Sequence, residues 1–291
     1  TAGVSRDLSL AKKRETKASL RTARISRVAR VTRSARKLFT SGAYPQGTWG
    51  HQCSGIAPPQ LLTIRRMGAA STGISTRGQR CLTSCLIVCY GRRSDPWQRI
   101  LKETIVLWAK LMPRRYASDM FSLAIAWSNA KQDLCHGPTP TTFEQIATMK
   151  IKWQKITGLV SNVVACLYAV GWNPVSFSEW HAPNGDTWSI PTSGLVYSII
   201  HLVRSIQDSA ALVLWAKAAE HYNGLGLTYG FAYGYSMRYL NQLRKDNIYD
   251  RAAALETIMT AACWSPDRKC GANLIAEDLN VCPQCGQQPC D

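Results

Sequence analysis

Residues 193–221 read SGLVYSIIHLVRSIQDSAALVLWAKAAEH, and this stretch decides how the rest of the chain is read. Ser193 stands in a helix-capping position, and the apolar run behind it predicts a helix to about His221. The run is not a membrane span. Its most apolar part, residues 195–215, is interrupted by His201, Arg204, Gln207 and Asp208, and a span needs about 18 apolar residues in succession. No such run exists elsewhere, and no apolar segment follows the basic start as a signal peptide would require.

Immediately before it, residues 172–190 (WNPVSFSEWHAPNGDTWSI) change character. Val175, Phe177, Trp180, Trp188 and Ile190 flank Pro183-Asn184-Gly185-Asp186. That pattern predicts a hairpin of two short strands. Further helices are expected over 115–133, after Asp95-Pro96, after Pro58-Pro59, and near 227–245 and 247–263. Leu61, Leu62, Ile64 and Met67 form the inner side of the helix after Pro58-Pro59. Thr141 with Glu144 three residues on reads as a capping box, launching a helix carried to about Val170. Tyr222, Tyr229, Tyr233 and Tyr235 among glycines read as a helix packing surface. The expected fold is mainly α, made of helical bundle-like domains with one small β-hairpin and a Cys-rich C-terminal end.

Charge is distributed unevenly. Residues 1–115 hold 23 Lys and Arg against Asp7, Glu15, Asp95 and Glu103, a net of +19, whereas the remaining residues hold 12 against 14 acidic ones. Such a field most often meets a nucleic-acid backbone, although basic arms also bind acidic membranes and acidic proteins. No Pro or Gly lies between Val4 and Ser41, so residues 5–40 predict a basic helix. Arg21, Arg24, Arg27, Arg30, Arg33 and Arg36 recur every three residues and therefore wind around a 3.6-residue helix. That arrangement suits a helix lying on phosphates better than one half-buried in a core. The alternative is a solvated basic tail.

Eleven cysteines are not spaced as a secreted disulfide framework, which points to a reducing, intracellular compartment. Cys81, Cys85 and Cys89 share one helix face and are read as small core residues. Cys282-Pro283-Gln284-Cys285-Gly286 has the form of half a zinc knuckle. Its remaining ligands would be Cys270 or Cys290, with Cys263 a further candidate, or residues beyond Asp291. The five histidines have no partners at catalytic spacing, and no adjacent pair of aspartates exists in the chain. Beginning at Thr1 and ending among cysteines, the sequence reads as an excerpt.

At residues 38–75, LFTSGAYPQGTWGHQCSGIAPPQLLTIRRMGAASTGIS resembles the segment downstream of the polymerase core in reverse transcriptases of non-long-terminal-repeat retrotransposons. Pro45, Trp49, Gly50 and His51 match one motif, with Trp49 where Tyr is usual. Arg65, Arg66, Met67 and Gly73 match the next. The Trp-rich hairpin and the Cys-Pro-Gln-Cys-Gly turn are similar to that family's linker and knuckle. The match covers about a third of the chain.

The resemblance implies a basic helical arm at 1–40, a basic thumb-like helical region at 41–135, a helical linker domain at 136–262 with its hairpin at 172–191, and a partial knuckle at 263–291. It implies an RNA-directed DNA polymerase as parent, with the magnesium-binding Tyr-x-Asp-Asp site upstream of Thr1. This piece would be non-catalytic, nuclear, and partnered by the upstream polymerase domain. Arg21, Arg24, Arg27, Arg30, Arg33, Arg36, Arg65 and Arg66 would then contact the template–primer backbone. Zinc would be bound weakly, through Cys282 and Cys285. Two alternatives stand beside it: a stand-alone basic scaffold that binds an acidic partner or RNA, and a decayed retroelement remnant without selected function.

Overall fold

A computed structural model of the chain describes residues 9–74, 80–112, 117–190, 196–220 and 226–262, with 270, 273, 276 and 281. The fold is mainly α: among the described residues twelve α-helices accompany one two-stranded antiparallel hairpin.

The first helix, α1 (Ser9–Ala29), buries Ala18, Thr22, Ile25 and Ala29. Their spacing makes one stripe of a 3.6-residue helix. The stripe packs on α2 (Tyr44–Thr48) and α4 (Pro58–Ala70). α1 thus buries one face in the core, whereas the arginine spacing suited a helix lying on phosphates better than one half-buried. It also stops earlier than expected. The amides of Val31 and Thr32 both turn back to the Val28 carbonyl, at 3.0 and 2.9 Å. Thr32 then adopts an extended backbone and its hydroxyl meets Ser34 at 3.1 Å. β-Branched residues with a local hydroxyl bond compete with helix, and here they end it. A 3₁₀ turn (Arg33–Arg36) and a π turn (Phe39–Ala43) follow.

A left-handed glycine fixes the approach of the next segment. Gly73 has φ +73°, and a Cβ there would lie 2.5 Å from the backbone of Ala29. The end of α4 can lie against the end of α1 only because that side chain is missing. α3 (His51–Ser54) lies between α2 and α4 in the chain. On α4, Ile64 and Met67 are buried and Leu61 is half-buried, but Leu62 faces solvent, one position off the stripe.

α5 (Leu82–Tyr90) buries Cys81 at its cap and Cys85 within it. α6 (Pro96–Leu111) starts where Asp95 accepts from the Trp97 amide at 2.9 Å. α7 (Ala117–Leu134) follows. The long helix expected from Thr141 to Val170 is instead two. α8 (Phe143–Thr148) is capped by Thr142 and Gln145, one residue beyond the expected pair. Residues 149–158 leave the helix for a connection containing one 3₁₀ turn, Trp153–Lys155. α9 (Leu159–Ala169) then begins where the Ser161 hydroxyl accepts from the Thr157 and Gly158 amides, at 3.1 and 3.2 Å.

Strands β1 (Glu179–His181) and β2 (Thr187–Ser189) pair Trp180 with Trp188. The turn between them uses Gly185 at φ +90°. The hairpin is held by indoles. Trp108 of α6 donates to the Phe177 carbonyl (3.1 Å), Trp127 of α7 to that of Pro174 (3.2 Å), and Trp172 to the Ser209 hydroxyl (2.9 Å). Trp127 and Trp180 stack at 6.4 Å between centroids. A buried indole N–H without a partner would cost about 1–3 kcal/mol, and these three bonds avoid that cost.

Ser193 and residues 191–195 lie outside the described residues; the last long helix, α10 (Val196–Ala219), reaches Ala219. It packs along α6, where Gln98 and Gln207 exchange side-chain-to-carbonyl bonds of 2.9 and 3.1 Å. α11 (Tyr233–Lys245) and α12 (Tyr249–Met259) complete the fold. Of the Gly/Tyr segment, Tyr222 lies outside the described residues and 226–232 form no helix; Tyr229 and Tyr235 face solvent instead of packing, while Leu227, Phe231 and Tyr233 pack in the cluster around Trp215. The largest core joins α6, α7, α9, α10 and the hairpin, drawing on both sides of residue 135. A second joins α1, the π turn, α2 and α4, drawing on both sides of residue 40.

Candidate nucleic-acid interface

The 3₁₀ and π turns, the C-terminal end of α5, and helices α6, α10 and α11 enclose an open cleft of about 1340 Å³. Eight Lys and Arg side chains line it: Arg33, Arg36 and Lys37 from the turns, Arg93 from the α5–α6 loop, Arg99 and Lys102 from α6, Arg204 from α10, and Arg244 from α11. Among the described residues, Glu103 is the one carboxylate in the lining.

These cations divide into paired and unpaired sets. Glu256 of α12 lies buried behind the cleft and gathers three of them. Arg36 binds it through two guanidinium nitrogens, Arg33 at 3.2 Å and Arg244 at 3.3 Å. Burial pushes the Glu256 carboxyl up, but the Arg36 bond and the fields of the three arginines outweigh it and hold the group below its ordinary range. Burial likewise works against the Arg36 charge, and its bond to Glu256 more than restores it. The Nε of Arg36 donates to the Thr72 carbonyl at 2.7 Å, and its Nη1 reaches the Cys89 sulfur at 3.5 Å. Arg36 is therefore a clamp between the 3₁₀ turn, the end of α4 and α12. Arg93 is likewise held, bidentate to Asp208 at 3.1 and 2.8 Å.

Lys37, Lys102 and Arg204 differ. All three are exposed, and among the described residues no carboxylate stands within ion-pair distance of them. Arg99 lies 3.9 Å over the Tyr44 ring and reaches Glu103 only at 3.7 Å. The Tyr44 hydroxyl donates to Glu103 at 3.3 Å, and burial pushes that phenol well up. His51 Nδ1 lies 2.8 Å from the Thr48 carbonyl, and its Nε2 lies 3.4 Å from Glu103. Burial lowers its pKa against the raising effect of the Thr48 carbonyl and Glu103. His51 thus sits behind the wall of the cleft, while Trp49 beside it is exposed.

The eight arginines expected from the sequence fall into separate places. Arg21, Arg24 and Arg27 are exposed on the outer side of α1, and Arg30 is exposed in the turn just after it. Arg21 lies against Gly42, next to the cleft residues Thr40 and Ser41. Arg33 and Arg36 enter the cleft as described. Arg65 does not: it binds buried Asp95 at 2.9 Å and the Thr83 hydroxyl at 2.9 Å. Arg66 is exposed on α4, away from the cleft lining. Sequence reading missed Lys37, Arg93, Arg99, Lys102, Arg204 and Arg244. Their spacing carries no signal, because the fold alone brings them together.

Cys263, Cys282, Cys285 and Cys290 lie outside the described residues, and Cys270 is half-buried. Among the described residues no cluster of three or more His, Cys, Asp or Glu could hold a metal ion. No protein-family model matches the chain, and neither a curated protein nor a solved structure is significantly similar to it.

Proposed function

We propose that this chain binds nucleic acid along the cleft and the outer face of α1, and that it does so as a non-catalytic segment of a retroelement reverse transcriptase. The cleft carries the first part: eight cations from five parts of the fold line it, with one carboxylate among the described lining residues. Three of them, Lys37, Lys102 and Arg204, have no internal partner among the described residues, so a phosphate can meet them without breaking an ion pair. The second part rests on the resemblance over residues 38–75. Its motif residue His51, together with the neighbouring Tyr44, packs on the lining residue Glu103. In this reading the partner is the backbone of a template–primer, the catalytic magnesium belongs to an upstream polymerase domain, and the protein acts in the nucleus. Among the described residues no helix is long and apolar enough to cross a membrane.

Affinity for a generic duplex, measured while salt rises from about 50 to 200 mM, is expected to fall roughly 10³-fold as counterions are released. The triple variant Lys37→Glu, Lys102→Glu, Arg204→Glu should bind about 10²-fold more weakly at fixed salt. It should lose about three units of the log–log salt slope, one per contact. A flat salt response in the unaltered chain, or an unchanged triple variant, overturns the assignment.

A further inference from the structure

The cleft is not uniformly polar. Val106 of α6 and Ile199, Ile200 and Val203 of α10 also line it. Ile200 is 40% exposed, and Val106 and Ile199 are half-buried. On each helix an apolar residue and an unpaired cation stand four residues apart, Lys102 with Val106 and Ile200 with Arg204. Four residues bring two side chains to the same helix face, one turn apart. Two helices thus present the same couple to one cavity.

We propose that the cleft takes single-stranded nucleic acid in preference to duplex; this rests on the cleft being a nucleic-acid site. A duplex offers such a surface only phosphates and sugars, because its base faces are stacked inside. Val106 and Ile200 would stay in water against it. A single strand offers both chemistries in every nucleotide, a phosphate for Lys102 or Arg204 and an unstacked base face for Val106 or Ile200. Electrostatics alone predicts the opposite order. A duplex carries the denser charge, so a purely ionic groove binds it at least as tightly as a single strand.

The test compares three fluorescent probes at equal salt: a mixed-sequence single strand of about 15 nucleotides, within the reach of one groove, its duplex with the complement, and a poly-glutamate peptide. The single strand should bind about tenfold tighter than the duplex, and poly-glutamate more weakly than either. Val106→Ser with Ile200→Ser should lower single-strand affinity about tenfold, the effect of a few buried methylenes. Duplex affinity and the salt slope should not change. Ile200→Ser alone, at an exposed position, should show a smaller loss of the same selectivity and guards against misfolding. Equal, salt-dependent binding of strand and duplex overturns this preference but leaves the backbone-binding proposal standing. Tighter binding of poly-glutamate overturns it in favour of an acidic protein partner. No binding of any probe overturns both proposals.

Discussion

Replacing Glu256 with alanine is expected to destabilise the chain by about 3–5 kcal/mol, the usual cost of removing one partner of a buried ion pair. Glu256 is 3% exposed and neutralises part of the charge on Arg33, Arg36 and Arg244. Without it Arg36, itself 9% exposed, is left buried beside two other guanidiniums. The loss then comes from the stranded cations more than from the missing bonds. Replacing Arg36 and Glu256 together by methionine should therefore cost less than Glu256→Ala alone. Acid should act in the same direction. The folded carboxyl is held below its ordinary value of 4.5, so its contribution is complete above that pH and is lost as pH falls towards the lowered value. Urea unfolding at pH 7 and again near pH 4 should show the unaltered chain losing more stability than Glu256→Ala. Equal acid sensitivity, or a stable Glu256→Ala, would show that the cluster does not hold α12 to the cleft.

Trp172→Ala is expected to cost about 3–5 kcal/mol, as for other wholly buried aromatics. Trp172 has no exposed surface, donates to Ser209 of α10 at 2.9 Å and faces Trp188 of the hairpin at 6.4 Å. Its loss opens a cavity between the hairpin and α10 and leaves Ser209 bonded only to its own helix. Trp49→Ala, by contrast, removes a side chain that is 71% exposed and should stay within about 0.5 kcal/mol. Thermal unfolding followed by near-ultraviolet circular dichroism measures both. Similar midpoints for the two variants would contradict the hairpin's place in the core.

Local patterns carried the helical class and the hairpin. Pro183-Asn184-Gly185-Asp186 forms the turn between the strands, and Asp95-Pro96 starts α6. Where neighbouring residues offered two solutions, local pattern did not choose between them. Thr141 and Thr142 are both competent caps; Thr142 caps α8, and the Gln145 side chain accepts from the amides of both. Residues 149–158 leave the helix while the Lys152 amide bonds the carbonyl of Leu134 at 3.0 Å, a contact at long range that periodicity does not encode. The same reason hid the cleft. A three-residue arginine repeat is visible along one helix, but Arg36 meets a glutamate 220 positions away. Arg204 and Arg244 come from the part of the sequence with no excess of positive charge, and only packing carries them to Lys37 and Lys102.

Lysine footprinting tests the cleft most directly as the binding surface. The chain is treated with an amine-reactive acetylating ester, with and without saturating oligonucleotide at low salt, and modification is read residue by residue by mass spectrometry. Lys37 and Lys102 line the cleft, whereas Lys110 and Lys155 are exposed elsewhere. Acetylation of Lys37 and Lys102 should fall in step with the bound fraction and return when salt releases the oligonucleotide, with Lys110 and Lys155 reacting as before. Unchanged reactivity at Lys37 and Lys102 while the oligonucleotide is bound would contradict the assignment and place the nucleic acid on another face.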